Sequence, residues 1–116
     1  MNKPFYLFIA HGSREPKSNA SLFELVENFQ KKFGMATVRG AVLELATPLI
    51  PEGIDLCVAE GASEIFILPL MIFQGRHVGK DIPALIAEAQ EKHASIPLHN
   101  LGALADPESQ EGFINF

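Results

Sequence analysis

Two short stretches place a histidine just past an apolar run: "FIAHGSR" at positions 8–14 and "QGRHVGKDIP" at 74–83. Neutral imidazole is a common ligand for divalent first-row metals and exchanges protons near neutral pH. Two imidazoles alone leave coordination positions open, which suits an ion being handed on better than a closed structural site. His11 and His77 are therefore candidates for one joint site, provided the fold brings both to one crevice. A lone histidine is more often a surface or hydrogen-bonded structural group. His93, at a helix end, and His99, in a polar stretch, fit that ordinary role. Glu44, in "AVLELATP", is either a solvated strand end or an acid–base group at the same rim. Arg14, Lys17, Arg76 and Lys80, four of the nine basic residues, fall in the loops after the two apolar runs. They would make the rim locally positive in a chain of net charge −5, which suits a polycarboxylate ligand.

Alternating elements must position these groups. Phe5 to Ala10 is a continuous apolar run with aromatic residues and reads as a buried strand. "GSREPKSNAS" reads as a loop, with Ser18, Asn19 or Ser21 available to cap a helix. Leu22, Leu25, Val26, Phe29 and Phe33 then step by three and four, so an amphipathic helix is expected over 21–33, ended by Gly34. "ATVRGAVLEL" at 36–45 is β-branched enough for a second strand, with Gly40 a candidate bulge. A second helix is expected from about Leu49 to Glu60 on the spacing of Ile50, Ile54, Cys57 and Val58. Gly53 weakens its first turn and Gly61 stops it. "EIFILPLMIF" at 64–73 is apolar on both faces, as central parallel strands are. A third helix is expected from about Lys80 or Ile82 to His93, with Pro83 in its tolerant first turn. "IPLHNLGAL" is a shorter, more polar strand nearer an edge.

The alternation β-α-β-α-β-α-β demands a parallel sheet with right-handed crossovers and helices on both faces. The expected architecture is a three-layer α/β/α domain with a four-stranded parallel sheet, and residues 1–116 make one domain by length. Ligands of such sheets sit beyond the carboxyl ends of the strands, where the strand order reverses. In the order 2-1-3-4, strands 1 and 3 are neighbours at that point, and His11 and His77 would lie side by side.

Composition excludes several classes. Hydrophobic residues are 47% of the chain, enough for a real core. The longest apolar stretches fall short of the ~20 residues of a membrane span, so no membrane partner is expected. The start lacks the apolar region and cleavage pattern of a secretory signal, and the expected setting is cytoplasmic. A single cysteine, Cys57, leaves no intramolecular disulfide and no multi-cysteine zinc site, and it reads as a small buried hydrophobe. Without a basic cluster, nucleic acid is not an expected partner. "GRHVGKD" fails as a phosphate loop, having three residues between its glycines and Asp81 after the lysine. "HGSR" lacks the arginine that would precede a phosphohistidine nucleophile.

The three motifs "HGSR", "LELATPLIPEGI" and "LPLMIFQGRHVGKDIP", in this order and spacing, resemble the short form of the CbiX-type sirohydrochlorin chelatases. These are class II tetrapyrrole chelatases of cobalamin, sirohaem and related pathways. The resemblance covers roughly positions 5 to 105. It implies half of the two-domain class II chelatase fold, pairing as a homodimer with the active site in a cleft between halves. It implies insertion of a divalent metal into sirohydrochlorin, with Co²⁺ the expected ion, Ni²⁺ and Fe²⁺ the alternatives, and no cofactor beyond that metal substrate. His11 and His77 match the family histidines that would bind the metal and accept pyrrole protons, and Glu44 matches the acid of the strand 2 motif. Ser13, Arg14, Arg76 and Val78 are the expected contacts to the tetrapyrrole.

Two departures stand out. Relatives often carry an acid immediately before the proline of the strand 2 motif, where this chain has Thr47. Relatives also continue into a full final helix, whereas this sequence runs to "SQEGFINF", with Gly112 unfavourable to a long helix. The apolar residues Phe113, Ile114 and Phe116 call for burial, on the chain's own sheet or against a second subunit. Two other functions compete with the chelatase. One is a non-catalytic metal- or tetrapyrrole-binding module of the same fold, and the other is a small phosphate-handling domain using His11.

Overall fold

In the computed structural model, residues 2–32, 34, 36–70 and 76–102 are described, those at 76–81 by their backbone alone. The apolar run after Lys3 forms strand β1 (Pro4–Ala10), and the β-branched stretch forms β2 (Thr37–Val42). Strand β3 (Glu64–Pro69) and the short β4 (Leu98–Asn100) complete a parallel sheet of order β2-β1-β3-β4. This is the expected order, with β4 at an edge. Helices α1 (Pro16–Lys32), α2 (Ile50–Ala59) and α3 (Arg76–Lys92) alternate with the strands.

Side-chain alternation on β1 divides the core in two. Phe5, Leu7 and Ile9 point to the face covered by Ile50, Ile54 and Cys57 of α2 and by Ile82, Ile86 and Ala89 of α3. Phe8 points to the other face, where it meets Leu22 and Val26 of α1 with Val38 and Val42 of β2. Fully burying such a side chain stabilises by roughly 1.5–3 kcal/mol, so the two clusters hold the three layers together. Among the described residues, no helix is long and apolar enough to cross a membrane.

Several boundaries differ from the sequence expectation. Helix α1 begins at Pro16 rather than Ser21, because proline suits the first helical position and capping occurs upstream. There the Ser13 Oγ accepts the Glu15 N–H at 3.0 Å, and the Glu15 carbonyl accepts the N–H groups of Ser18 and Asn19. Ser21 is no cap; its Oγ donates to the Lys17 carbonyl one turn back. Helix α3 begins at Arg76, so Pro83 lies inside it, where the missing N–H gives up one intrahelical bond.

Gly40 is not a bulge. The β1–β2 register runs unbroken through Phe8 opposite Gly40 and Ile9 opposite Ala41. The glycine instead lets α1 close on the sheet, since a Cβ there would lie 3.1 Å from a Val26 methyl. Gly53 serves α2 similarly: a Cβ would sit 2.8 Å from that of Ala41. Phe33, the last third of "EIFILPLMIF" and the end of "IPLHNLGAL" lie outside the described residues.

Two glutamines do matching work at the two sheet edges. Gln30 of α1 donates to the Ala36 carbonyl at 2.7 Å and accepts the Val38 N–H at 2.8 Å. Gln90 of α3 donates to the carbonyls of His93 and Ile96 and accepts the Leu98 N–H at 2.9 Å. Each side-chain amide satisfies backbone groups where a helix turns into an edge strand, groups that would otherwise be left without a partner.

Candidate functional site

The carboxyl end of β1 is flanked on both sides by backbone bonds that outlast the strands. On the β2 side, Leu43 N–H donates to the Ala10 carbonyl at 3.0 Å and Glu44 N–H to the His11 carbonyl at 3.1 Å. On the β3 side, Leu70 N–H donates to the Ile9 carbonyl at 2.7 Å. The loop 43–48 then turns back, and Val42 N–H donates to the Pro48 carbonyl at 2.9 Å. Its turn includes Leu45 at φ 67° and a cis Thr47–Pro48 bond.

Gly12 makes this approach possible. It has φ +96°, and a Cβ at that position would overlap the Glu44 carbonyl oxygen. The next residue is fixed from helix α1: Ser13 N–H donates to Asn19 Oδ1 at 3.0 Å, and Asn19 Nδ2 donates to the Ser13 carbonyl at 2.7 Å.

Within this frame His11 and Glu44 meet, with 2.9 Å between His11 Nε2 and Glu44 Oε1. Both side chains are substantially exposed, at 39% and 54%. His11 Nδ1, by contrast, is buried and has no hydrogen-bond partner among the described residues. A carboxylate only accepts, so in neutral His11 the proton resides on Nε2 and the Nδ1 lone pair faces the interior. With Nδ1 buried, Nε2 is the nitrogen an incoming ion can reach, and it offers a lone pair only in the other tautomer, with the proton on Nδ1 and the Glu44 contact given up.

The remaining sequence candidates divide. Ser13 is occupied in the turn that starts α1, so its hydroxyl oxygen already accepts a backbone N–H. Arg14 and Lys17 are exposed near the same rim, as is Thr47 at the tip of the 43–48 loop. Arg76, His77, Val78 and Lys80 have their backbone in the first turn and a half of α3, and their side chains lie outside the described residues. Among the described residues there is no group of three or more His, Cys, Asp or Glu side chains able to hold a metal.

The other two histidines are structural. His93 Nε2 lies 2.7 Å from Asp55 Oδ1, while Lys92 Nζ reaches Asp55 Oδ2 at 2.9 Å, tying α3 to α2. These bonds hold the Asp55 carboxyl below its ordinary value, the contact from His93 contributing most. His99 Nε2 pairs with Glu64 Oε1 at 3.0 Å across β3 and β4. Asn19 is the residue that the sequence did not assign to the rim. Its clamp on Ser13 spans six positions and has no familiar spacing to mark it.

The fold and rim define a class: a parallel α/β domain with a histidine–carboxylate pair beyond its central strand, at the reversal of strand order. The CbiX family model matches residues 6–110, and the chain belongs to the CbiX family. It is 40% identical over 90 residues to the chloroplastic sirohydrochlorin ferrochelatase of Arabidopsis thaliana, covering 78% of this chain and 40% of that protein. It is 35% identical over 91 residues to a sirohydrochlorin cobaltochelatase of Priestia megaterium, covering 78% of this chain and 29% of the relative. The crystal structure of the sirohydrochlorin chelatase SirB from Bacillus subtilis subspecies spizizenii, in complex with cobalt, superposes with a TM-score of 0.72 at 31% identity. That match covers 83% of this chain and 42% of the other. The matched part of this chain therefore covers less than half of each of these three proteins.

Proposed function

We propose that this protein inserts a divalent metal into sirohydrochlorin, with His11 and His77 holding the ion and Glu44 taking up protons. The observation that carries the proposal is the 2.9 Å His11–Glu44 pair at the carboxyl end of β1. Metal insertion exchanges the ion's water for ring nitrogens and releases two pyrrole protons. The ion would take the His11 Nε2 lone pair in the tautomer with its proton on Nδ1, which frees Glu44 to accept a pyrrole proton. An adjacent carboxylate gives the proton a short path to solvent, and Glu44 is exposed enough to release it. Arg14 and Arg76 would meet the carboxylates of the tetrapyrrole, with Ser13 and Val78 beside them. Because the match covers less than half of the larger relatives, two copies would supply a complete cleft, and a homodimer is the proposed assembly.

The identity of the ion rests on relatives that differ: one matched protein is a ferrochelatase and another a cobaltochelatase. Co²⁺ is proposed first on the resemblance of the motifs alone, since SirB structures that share this fold hold cobalt in one case and Fe³⁺ in another. Imidazole accepts Co²⁺, Ni²⁺ and Fe²⁺ alike, so insertion rates rather than affinities decide among them. The test is anaerobic insertion of each ion into sirohydrochlorin, followed by absorbance, with wild type, His11→Ala, His77→Ala and Glu44→Gln. Wild type is expected to exceed the spontaneous rate, and each histidine variant to fall by roughly 10²-fold or more. No acceleration with any of the three ions, alongside a saturable spectral change, would replace the enzyme with a binding module.

A further inference from the structure

The two halves of the sheet, β1-α1-β2 and β3-α3-β4, follow one plan, with β1 and β3 at the centre and β2 and β4 at the edges. Helices α1 and α3 are each 17 residues long and begin sixty positions apart. Buried Leu22 and Val26 of α1 are matched at the same distance by buried Ile82 and Ile86 of α3. Gln30 and Gln90 keep that distance too. Each grips backbone six and eight residues further on, Ala36 with Val38 and Ile96 with Leu98. Present in both halves, the glutamines belong to the scaffold. The Asn19 clamp on Ser13 breaks this pattern, because its counterpart at position 79 is a glycine with no side chain to clamp with. The half that carries His11 therefore has a restraint that the common plan does not require.

We propose that Asn19 is a positioning residue for metal insertion, acting through Ser13 and Gly12 on His11, a role that rests on the chelatase reading above. A primary amide carries a donor and an acceptor side by side, and Asn19 uses both on one residue. Its Oδ1 accepts the Ser13 N–H at 3.0 Å and its Nδ2 donates to the Ser13 carbonyl at 2.7 Å, which fixes the planes of the two peptides flanking Ser13. The first of these joins Ser13 to Gly12, whose φ of +96° is a region that glycine enters and leaves freely. With Ser13 held, that freedom is gone. On the other side of Gly12, the His11 carbonyl accepts the Glu44 N–H at 3.1 Å. His11 is thus pinned from both directions, and its ring stays 2.9 Å from Glu44 although both side chains reach solvent. Both bonds of the Asn19 amide go to backbone, so its effect on the ring is one of placement.

Steady-state Co²⁺ insertion into sirohydrochlorin is compared in wild type, Asn19→Ala and Ser21→Ala. The last is the control, since it removes a different α1 side-chain bond, that from Ser21 Oγ to the Lys17 carbonyl. In Asn19→Ala, kcat is expected to fall by roughly 10- to 100-fold with KM for sirohydrochlorin within about twofold, the pattern of a misplaced reacting group. Ser21→Ala should keep the wild-type kcat. An Asn19→Ala kcat within about twofold of wild type, or a loss that Ser21→Ala shares, overturns the proposal. The ¹⁵N shifts of the His11 ring at pH 8 need no turnover. They should show the Nε2–H tautomer in wild type and a mixture of tautomers in Asn19→Ala. Identical ring shifts refute the positioning even if wild type itself does not insert metal. Where Asn19→Ala does not fold, amide exchange in wild type decides. The Ser13 N–H should exchange at least about tenfold more slowly than an unstructured amide, and unprotected exchange would remove the clamp on which the role depends.

Discussion

Gly12→Ala tests whether the rim is held by the close crossing of two loops. Gly12 and Gly61 have nearly the same φ, +96° and +98°, yet different surroundings. At Gly61 an added Cβ meets only the Lys3 Nζ at 3.9 Å, so Gly61→Ala isolates the cost of the backbone conformation, about 1–2 kcal/mol. At Gly12 the same strain is joined by overlap with the Glu44 carbonyl oxygen. Relief requires the 10–13 and 43–45 segments to separate, which breaks the Glu44 N–H to His11 carbonyl bond and stretches that from Leu43 to Ala10. Each contributes about 1 kcal/mol, giving about 2–4 kcal/mol for Gly12→Ala. At about 3–6 °C per kcal/mol for a domain of this size, Tm should fall by about 10–20 °C at Gly12 and by about half that or less at Gly61. Thermal unfolding by circular dichroism reads both. Insertion assayed well below either Tm should fall roughly 10²-fold further in Gly12→Ala, since His11 and Glu44 move apart. Equal melting temperatures, or a Gly12→Ala protein with wild-type activity, would refute the reasoning.

Asp55 supplies a pH prediction. Its carboxyl is held below the ordinary value of 3.8 by His93 and Lys92, so its stabilising effect is present above that value and is lost as pH falls through the lower folded one. Asp55→Asn should therefore flatten the decline of Tm below about pH 4, and parallel wild-type and variant profiles would argue against it. Cys57 is fully buried and its thiol is pushed up to about 12 by burial, so a thiol reagent at pH 8 should label it only at the rate of unfolding. Labelling at the rate of a free thiol would show that α2 opens locally. Gln30→Leu and Gln90→Leu should each cost about 1–3 kcal/mol in urea unfolding by orphaning edge-strand backbone groups. Lying at opposite edges they should add, and a double variant no worse than either single one would contradict this.

Apolar runs and helical spacing made the parallel α/β alternation legible, because β1 and β3 read as continuous apolar runs and crossovers have one hand. What escaped was set by contacts distant in sequence. Helix α1 was expected five residues late because polar "REPKSNAS" carries no apolar period, while its start depends on Ser13 and Pro16. Gly40 and Gly53 resembled a bulge and a weak turn, yet both are sites where a helix closes on β2, which needs the third dimension to see. Glu44 could be placed at the rim from the sequence, but its contact with His11 could not. That contact depends on Gly12 and on ladder bonds that continue two residues beyond β2. The Asn19 clamp on Ser13 lay hidden for the same reason.

The His11–Glu44 pair takes its position from the backbone rather than from the core. Four backbone bonds and the Asn19 clamp fix residues 9–13 and 42–48, whereas the side chains themselves reach into solvent at 39% and 54% exposure. A side-chain contact so exposed contributes only about 0–1 kcal/mol. Breaking it to admit a metal therefore costs little, and the frame keeps both groups within reach for the reverse step. A structural metal site inverts this balance, with buried ligands whose bonds to the ion stabilise the fold. Cheap side-chain contacts on a rigid backbone suit a site that must take up an ion and release it in the same turnover.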